Sequence, residues 1–357
     1  MTPTILFRVD GDDSSGLGHL SRCIGLCEAL SQQGAQCQFL GSYSANGEAL
    51  LNHSNIKWDH LGVPSASLQD LERLNQRIME LQAQAIIVDS YKIDSSFIKS
   101  LCSQTTLKVL IDDSVLLSSY EADIIINSTI GAERISYPLG STHKNPPKIL
   151  AGLAYFLFRQ ELAKLRQTAV TRPDVKDIAV AISGDSHLEV SEQVVRGITD
   201  FFDSSHVRTP PHVNVFVPQN SGETPVNFRA LAGHGLSIQF TAFNPMMVKA
   251  LRDVDIVICS GGLTKYESLF LGKPTLTCAR NAREHEDTRE FALNGALIDM
   301  GLAVTLKPDD VKRALTRLLG DGQFRRQLSQ HAYSMFIDES CKNVAIEILA
   351  AATKKRM

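Results

Sequence analysis

The feature that most constrains this chain is a series of short, predominantly apolar runs that do not alternate with polar residues. They fall at residues 5–9, 85–89, 107–111 and 123–127, and again at 178–183, 213–217, 256–260 and 275–278. A strand with one wet face alternates apolar and polar residues, whereas an unalternating run must be covered on both faces. Helical patterns lie between the runs. Leu20, Cys23, Ile24, Cys27 and Leu30 recur at three- and four-residue spacing, and Gly34 stands where such a helix would end. Asn244 and Pro245 read as the start of another helix. Strand–helix alternation of this kind builds an α/β fold of parallel sheets with helices on both faces.

The 357 residues are enough for two such domains. Residues 167–176 lose the apolar periodicity and include Pro173, so they are read as a linker. The expected organisation is a domain over 1–166 and a second over 177–357, two facing doubly wound sheets. Ligands of doubly wound sheets sit beyond the carboxyl ends of the strands, so a cleft between the domains is the expected site.

Composition narrows the function. The net charge of -3, from 36 basic and 39 acidic residues, lacks the footprint of a dedicated nucleic-acid binder. No apolar run approaches the ~18 residues of a membrane span. Met1-Thr2-Pro3-Thr4 has no basic region and leads into a strand, so no signal peptide is expected. The cysteines (Cys23, Cys27, Cys37, Cys102, Cys259, Cys278 and Cys341) are odd in number and form no CxxC. Reduced thiols and a cytoplasmic location are the expectation.

Four loops carry candidate chemistry. The first runs from Asp10 through Gly16, Gly18 and His19 to Arg22, between the first strand and the first helix. Its glycines permit close backbone approach, and the helix start offers free N–H groups to an anion. It is neither GxGxxG nor a P-loop. His19 at the helix entrance could act as a general base oriented by Asp10 or Asp13. The second is Ser260-Gly261-Gly262-Leu263-Thr264-Lys265-Tyr266-Glu267, where the glycines suit phosphate oxygens and Glu267 could accept hydrogen bonds from a ribose. The third, Ser183-Gly184-Asp185-Ser186-His187, is a small-residue turn at a strand end, and the fourth is the polar loop from Ala279 to Glu286. Asp112 and Asp113 could hold Mg²⁺ or cap a turn. The remaining histidines have no ligand spacing, and no metal or cofactor is predicted.

Taken in order, these motifs resemble a family. Arg8-Val9-Asp10 with Gly16-Leu17-Gly18-His19-Leu20-Ser21-Arg22 is similar to the opening of the UDP-sugar hydrolases of pseudaminic acid biosynthesis and the related spore-coat polysaccharide proteins. The resemblance continues through Val88-Asp89-Ser90-Tyr91, Ile111-Asp112-Asp113, Ile126-Asn127 and Leu150 to Tyr155. It returns in Gly261 to Glu267 and Leu271 to Pro274, and ends near Asn281. It implies two facing Rossmann-like domains of the GT-B type, as in the transferase that adds N-acetylglucosamine to lipid-linked peptidoglycan precursor. It also implies a UDP-sugar substrate, with no metal required. Under it His19 is the catalytic base, Asp10 and Tyr91 line the sugar side, and Gly262, Thr264 and Glu267 hold UDP. Asn281 would touch sugar or diphosphate. Two departures stand out. The family's Gly-Gly-x-Asp-Pro turn is here Ser183-Gly184-Asp185-Ser186, and the glutamine usual after the Asn281 position is absent, with Glu284 near where it would fall. The reading that follows is hydrolysis of a UDP-activated amino or deoxy sugar in nonulosonic acid or surface polysaccharide biosynthesis. The alternatives are transfer of that sugar to an acceptor, and nucleotide-sugar binding without turnover. Oligomeric state is not legible here.

Overall fold

The structure is a computed structural model and describes residues 2–12, 14–101, 105–115, 117–139, 146–169, 172–182, 188–205, 209–217, 236–244 and 247–356. The chain divides into two compact units, residues 1–160 with 337–357, and residues 161–336.

The first unit is built on seven strands: β1 (Thr4–Val9), β2 (Gln36–Gly41), β3 (Lys57–His60), β4 (Ala85–Asp89), β5 (Leu107–Ile111), β6 (Ile124–Asn127) and β7 (Lys148–Ala151). They lie in the order β3-β2-β1-β4-β5-β6-β7, and every pairing is parallel. Helices α1 (Gly18–Gln32), α2 (Ala45–His53), α3 (Leu68–Leu81) and α4 (Ser95–Ser100) connect strands of this sheet.

The second unit carries β8 (Asp177–Ala181), β9 (His212–Val217), β10 (Ser237–Ala242), β11 (Ile256–Ser260), β12 (Thr275–Ala279) and β13 (Ile298–Leu302). Their order is β10-β9-β8-β11-β12-β13, again parallel throughout. Its helices are α5 (Gln160–Arg166), α6 (Glu189–Ser204), α7 (Met247–Asp253), α8 (Leu263–Phe270), α9 (Ala282–Leu293), α10 (Pro308–Gly320) and α11 (Gly322–Ser334). Both units are thus doubly wound α/β sheets, as the apolar runs require. The α7 start predicted at Asn244-Pro245 is only partly covered, because residue 245 lies outside the described residues.

In each sheet the chain reverses its direction of travel once. In the first this happens between β1 and β4, in the second between β8 and β11. Connections leave such a pair of strands in opposite directions, which opens a crevice at their carboxyl ends. Val9, the last residue of β1, is paired with Asp89, the last of β4. The loops singled out after β1, β11 and β12 each leave a strand at its carboxyl end, and those after β1 and β11 do so at these reversal points.

The domain limits 1–166 and 177–357 need correction at the last helix. α12 (Ser340–Arg356) belongs to the first unit. Its Val344, Ala345, Ile348 and Ala352 are buried, and it packs against α1. Ser340 Oγ donates to the Phe156 carbonyl at 2.5 Å, and Lys355 Nζ donates to Asp123 at 2.6 Å. The short α5 goes the other way. The Arg166 guanidinium lies 3.8 Å from the Tyr333 ring centroid and 4.4 Å from that of Phe270, which fastens α5 to the second unit.

The carboxyl end of β1 contains a buried ionic cluster. Arg8 donates to Asp10 at 2.7 Å and to Asp70 at 2.8 Å, and all three side chains are buried. Ser65 Oγ donates to Asp10 at 2.6 Å, the Ser42 amide to Asp10 at 2.9 Å and the Ala66 amide to Asp70 at 2.8 Å. Burial pushes the Asp10 carboxyl up, but the charge of Arg8 and these hydrogen bonds outweigh it and hold Asp10 below the usual carboxylate range. The cluster binds β1 to the loops that follow β2 and β3.

Candidate active site

The loop after β1 is shaped by its own polar groups. Asp12 accepts from the Ser14 and Ser15 amides at 3.0 and 2.8 Å, and Gly16 takes a left-handed φ of 70° that a side chain would strain. α1 then begins at Gly18 with no side-chain cap on its N-terminus. His19 follows within the first turn and faces the end of β4.

His19 Nδ1 lies 2.6 Å from Asp89 Oδ1. Asp89 is 1% exposed, so its negative charge depends on partners. Arg22, one turn further along α1, donates to both of its oxygens, from Nη2 to Oδ1 at 2.6 Å and from Nε to Oδ2 at 2.7 Å. Burial pushes the Asp89 carboxyl up, but the charges and hydrogen bonds of Arg22 and His19 prevail and hold it far below the usual range. An ionised carboxylate only accepts hydrogen bonds. A proton is therefore assigned to His19 Nδ1, and the neutral ring carries its lone pair on Nε2. Arg22 Nη2 also approaches Nδ1 at 3.0 Å, a close pass of two donors sharing Asp89 Oδ1.

The third branch of Arg22, Nη1, donates to Asp113 Oδ2 at 2.7 Å. Asp113 Oδ1 accepts from the Tyr91 hydroxyl at 2.5 Å. The Tyr91 ring meets His19 edge-to-face, with centroids 4.5 Å apart. One connected group of side chains thus joins α1 to the carboxyl ends of β4 and β5.

Among the described residues the acid in contact with His19 is Asp89, and Asp10, one of the two acids anticipated, is not. Both oxygens of Asp10 are taken up by Arg8, Ser65 and the Ser42 amide. Asp13 lies outside the described residues. Asp112 and Asp113 serve hydrogen bonding here. Asp112 accepts from the Ser114 and Val115 amides, both at 2.9 Å, and from the Tyr120 hydroxyl. Among the described residues no group of three or more histidines, cysteines and carboxylates could hold a metal.

In the second unit the β11 loop leads into α8, whose N-cap residue, Gly262, supplies no side-chain cap. Thr264 and Glu267 are buried on this helix. Gly261 is demanded by packing, since a Cβ there would sit 2.7 Å from the Glu284 Cβ. Glu284 in turn accepts from the Arg280 amide and Nε, each at 2.9 Å, so its charge is met by Arg280. The side chain of Asn281 caps α9 by accepting from the Glu284 amide at 2.9 Å, which commits its oxygen. Ser183 and Gly184 lie outside the described residues.

Sequence reading passed over Lys265, which is fully buried on α8. Its Nζ is 3.4 Å from Thr288 Oγ1 and 4.9 Å from the Tyr266 ring centroid. Burial lowers its pKa to about 8, against the pull of Asp287, Glu284 and Asp299. The unfolded chain keeps this proton up to about pH 10.4, so stability should rise with pH between about 8 and 10.4. Below that window the whole cost of burying the charge is present. Lys265→Met should therefore stabilise the protein at pH 7, by on the order of 3 kcal/mol, and remove the rise. Denaturant titrations at pH 7 and pH 10 check this, and a variant less stable at pH 7 would contradict it.

No family model matches the sequence. The chain is similar to the spore coat polysaccharide biosynthesis protein SpsG of Bacillus subtilis, with 22% identity over 324 residues, covering 89% of this chain and 90% of SpsG. It is also similar to an uncharacterized protein of Methanocaldococcus jannaschii, with 23% identity over 292 residues. That match covers 79% of this chain and only 57% of the archaeal protein. Among solved structures, MurG of Acinetobacter baumannii superposes with a TM-score of 0.65 at 14% identity, covering 98% of this chain and 99% of MurG. The spinosyn forosaminyltransferase SpnP gives 0.67 at 12% identity, covering 99% and 100%. UGT71G1 of Medicago truncatula, complexed with UDP-glucose, gives 0.65 at 12% identity, covering 100% and 99%. The fold is thus that of the two-domain GT-B glycosyltransferases.

Proposed function

We propose that this protein is a glycosyltransferase that moves a sugar from a UDP-sugar to an acceptor hydroxyl, with His19 as the general base. The carrying observation is the 2.6 Å contact between His19 Nδ1 and the ionised Asp89, which leaves Nε2 free to accept a proton. Nε2 takes the acceptor's hydroxyl proton as its oxygen attacks the anomeric carbon. The bond from that carbon to the diphosphate breaks, and UDP leaves with the electron pair. A single displacement of this kind inverts the anomeric centre. Tyr91 forms a wall beside the imidazole, and Asp10 holds the loops around it in place.

In the second unit the uncapped start of α8 at Gly262, with Thr264, offers N–H groups and the positive end of a helix to the leaving diphosphate. Glu267 is the candidate for the ribose hydroxyls. Glu267→Ala should weaken UDP binding by roughly 1.5–3 kcal/mol, about tenfold to a hundredfold in Kd. Calorimetry showing unchanged affinity would remove Glu267 from the nucleotide site.

Transfer is preferred to hydrolysis because the activity named among the reported neighbours is sugar transfer. The polysaccharide role of SpsG supports a surface-glycan context. The deciding assay measures UDP release from a panel of UDP-sugars, with and without sugar, sugar-phosphate and lipid-linked acceptors, and follows products by mass spectrometry. Glycosylated product and acceptor-dependent release are expected. Equal release without any acceptor would make water the nucleophile and restore the hydrolase reading.

A further inference from the structure

We propose that Lys265 makes the nucleotide site selective for phosphate: its buried ammonium has no ion pair of its own, and the diphosphate supplies the counter-charge. The inference rests on the reading that UDP binds at the start of α8, and it adds what favours the charged part of the nucleotide there.

Lys265 lies in the first turn of α8 and is fully buried. An ammonium carries three N–H donors. Here Nζ makes one long hydrogen bond, 3.4 Å to Thr288 Oγ1 on α9, and otherwise meets aromatic rings, with the Tyr266 and Phe291 centroids at 4.9 and 5.5 Å. No carboxylate among the described residues forms an ion pair with it.

The titratable groups that act on Lys265 from the neighbouring elements are engaged with other partners or neutral. On α9, Asp287 accepts from the Tyr266 hydroxyl at 2.9 Å, and Glu284 accepts from the Arg280 amide and Nε, each at 2.9 Å. On β13, Asp299 lies 3.1 Å from His285 Nε2 and accepts from the Gly301 amide at 2.8 Å. On β11, burial pushes the Cys259 thiol up to about 12, so it is neutral at pH 7. The pull of these groups does not outweigh the cost of burying the ammonium.

An unpaired buried cation in the first turn of a helix is unfavourable twice over, because the helix dipole already places positive charge there. An anion at the same turn reverses both effects. Lys265 is three residues beyond Gly262, about 5 Å along the axis at 1.5 Å per residue, and helix side chains lean toward the N-terminus. At roughly 10 Å, charges inside a protein still interact appreciably. Lys265 therefore acts through its field, while the N–H groups of the first turn make the contacts. Uridine, which has no phosphate, gains nothing from it.

The test measures UDP and uridine binding by calorimetry for the wild-type chain, Lys265→Met and Glu267→Ala. Lys265→Met should weaken UDP roughly tenfold to a hundredfold and leave uridine within about twofold of wild type. The diphosphate favours the charged lysine, so UDP binding to the wild-type chain should take up protons near pH 8, seen as a heat that varies with the ionisation enthalpy of the buffer. Wild-type affinity for UDP should also fall relative to uridine from about pH 7.5 to 9. Lys265→Met should show neither effect, and the wild-type comparison decides the matter if that variant does not fold. An unchanged UDP-to-uridine ratio in Lys265→Met, or a wild-type ratio that is flat across this pH range, would overturn the inference. Glu267→Ala separates this failure from that of the nucleotide reading. If it weakens UDP while the ratio tests fail, the site stands and the role of Lys265 falls. If neither substitution alters UDP binding, both fall.

Discussion

Replacing His19 with alanine should lower turnover by about 10²–10⁴-fold, the usual worth of a positioned general base. UDP affinity should stay near wild type, because the groups proposed for the nucleotide lie on α8 of the other unit. The side chain is partly exposed beside Tyr91 and makes one strong contact, with Asp89, so its removal leaves the rest of the Arg22 network paired. Steady-state kinetics with calorimetry separates the outcomes. Turnover within a few-fold of wild type would exclude His19 as the base. Parallel loss of activity and UDP affinity would make it a structural residue of the β1 loop.

Asp89→Asn should be at least as damaging to turnover. In the serine protease triad, the corresponding change of a buried aspartate to asparagine costs about 10⁴-fold because it selects the wrong histidine tautomer. The same reasoning applies here. Asp89 receives donors on both oxygens, from Arg22 and from His19, and an asparagine must turn its own amide N–H groups toward one of them. With Arg22 holding the amide oxygen, the N–H groups face His19 and favour a proton on Nε2, where the base must be empty. The substitution also leaves a buried guanidinium short of its main partner, at a cost of roughly 3–5 kcal/mol. The native carboxyl titrates far below its unfolded value, so it contributes stability above about pH 4 that is lost as pH falls further. The variant should lack that acid-side slope. Turnover close to wild type in a folded Asp89→Asn protein would show that the contact does not orient the base.

Much of the fold was legible because burial leaves a mark in sequence. The central strands β4, β5, β6, β11 and β12 are buried along their whole length, and each stood out as an apolar run. Among the strands that did not stand out as apolar runs, β3, β7, β10 and β13 are the four sheet edges. An edge strand is covered less completely, so Lys57-Trp58-Asp59-His60 carries no continuous apolar signal. The exchange of α12 into the first unit was hidden for a related reason. An amphipathic helix shows that it has a buried face without showing which core receives it.

The site divides along the same line. The local pieces can be read from spacing: a glycine-bearing loop after a strand, His19 at the entrance of a helix and Arg22 one turn later on the same face. A second such turn at Gly261-Gly262 follows from the same local signals. These depend on neighbours within a few residues, and spacing alone records them. Folding brings Asp89 to His19, joins Asp113 to it through Arg22, and turns Asp10 away to Arg8. His19 and Asp89 are 70 residues apart and meet because β1 and β4 pair in parallel register, Val9 beside Asp89, where the chain reverses direction. That register is set by the packing of the whole sheet, so no local pattern around either residue could announce it.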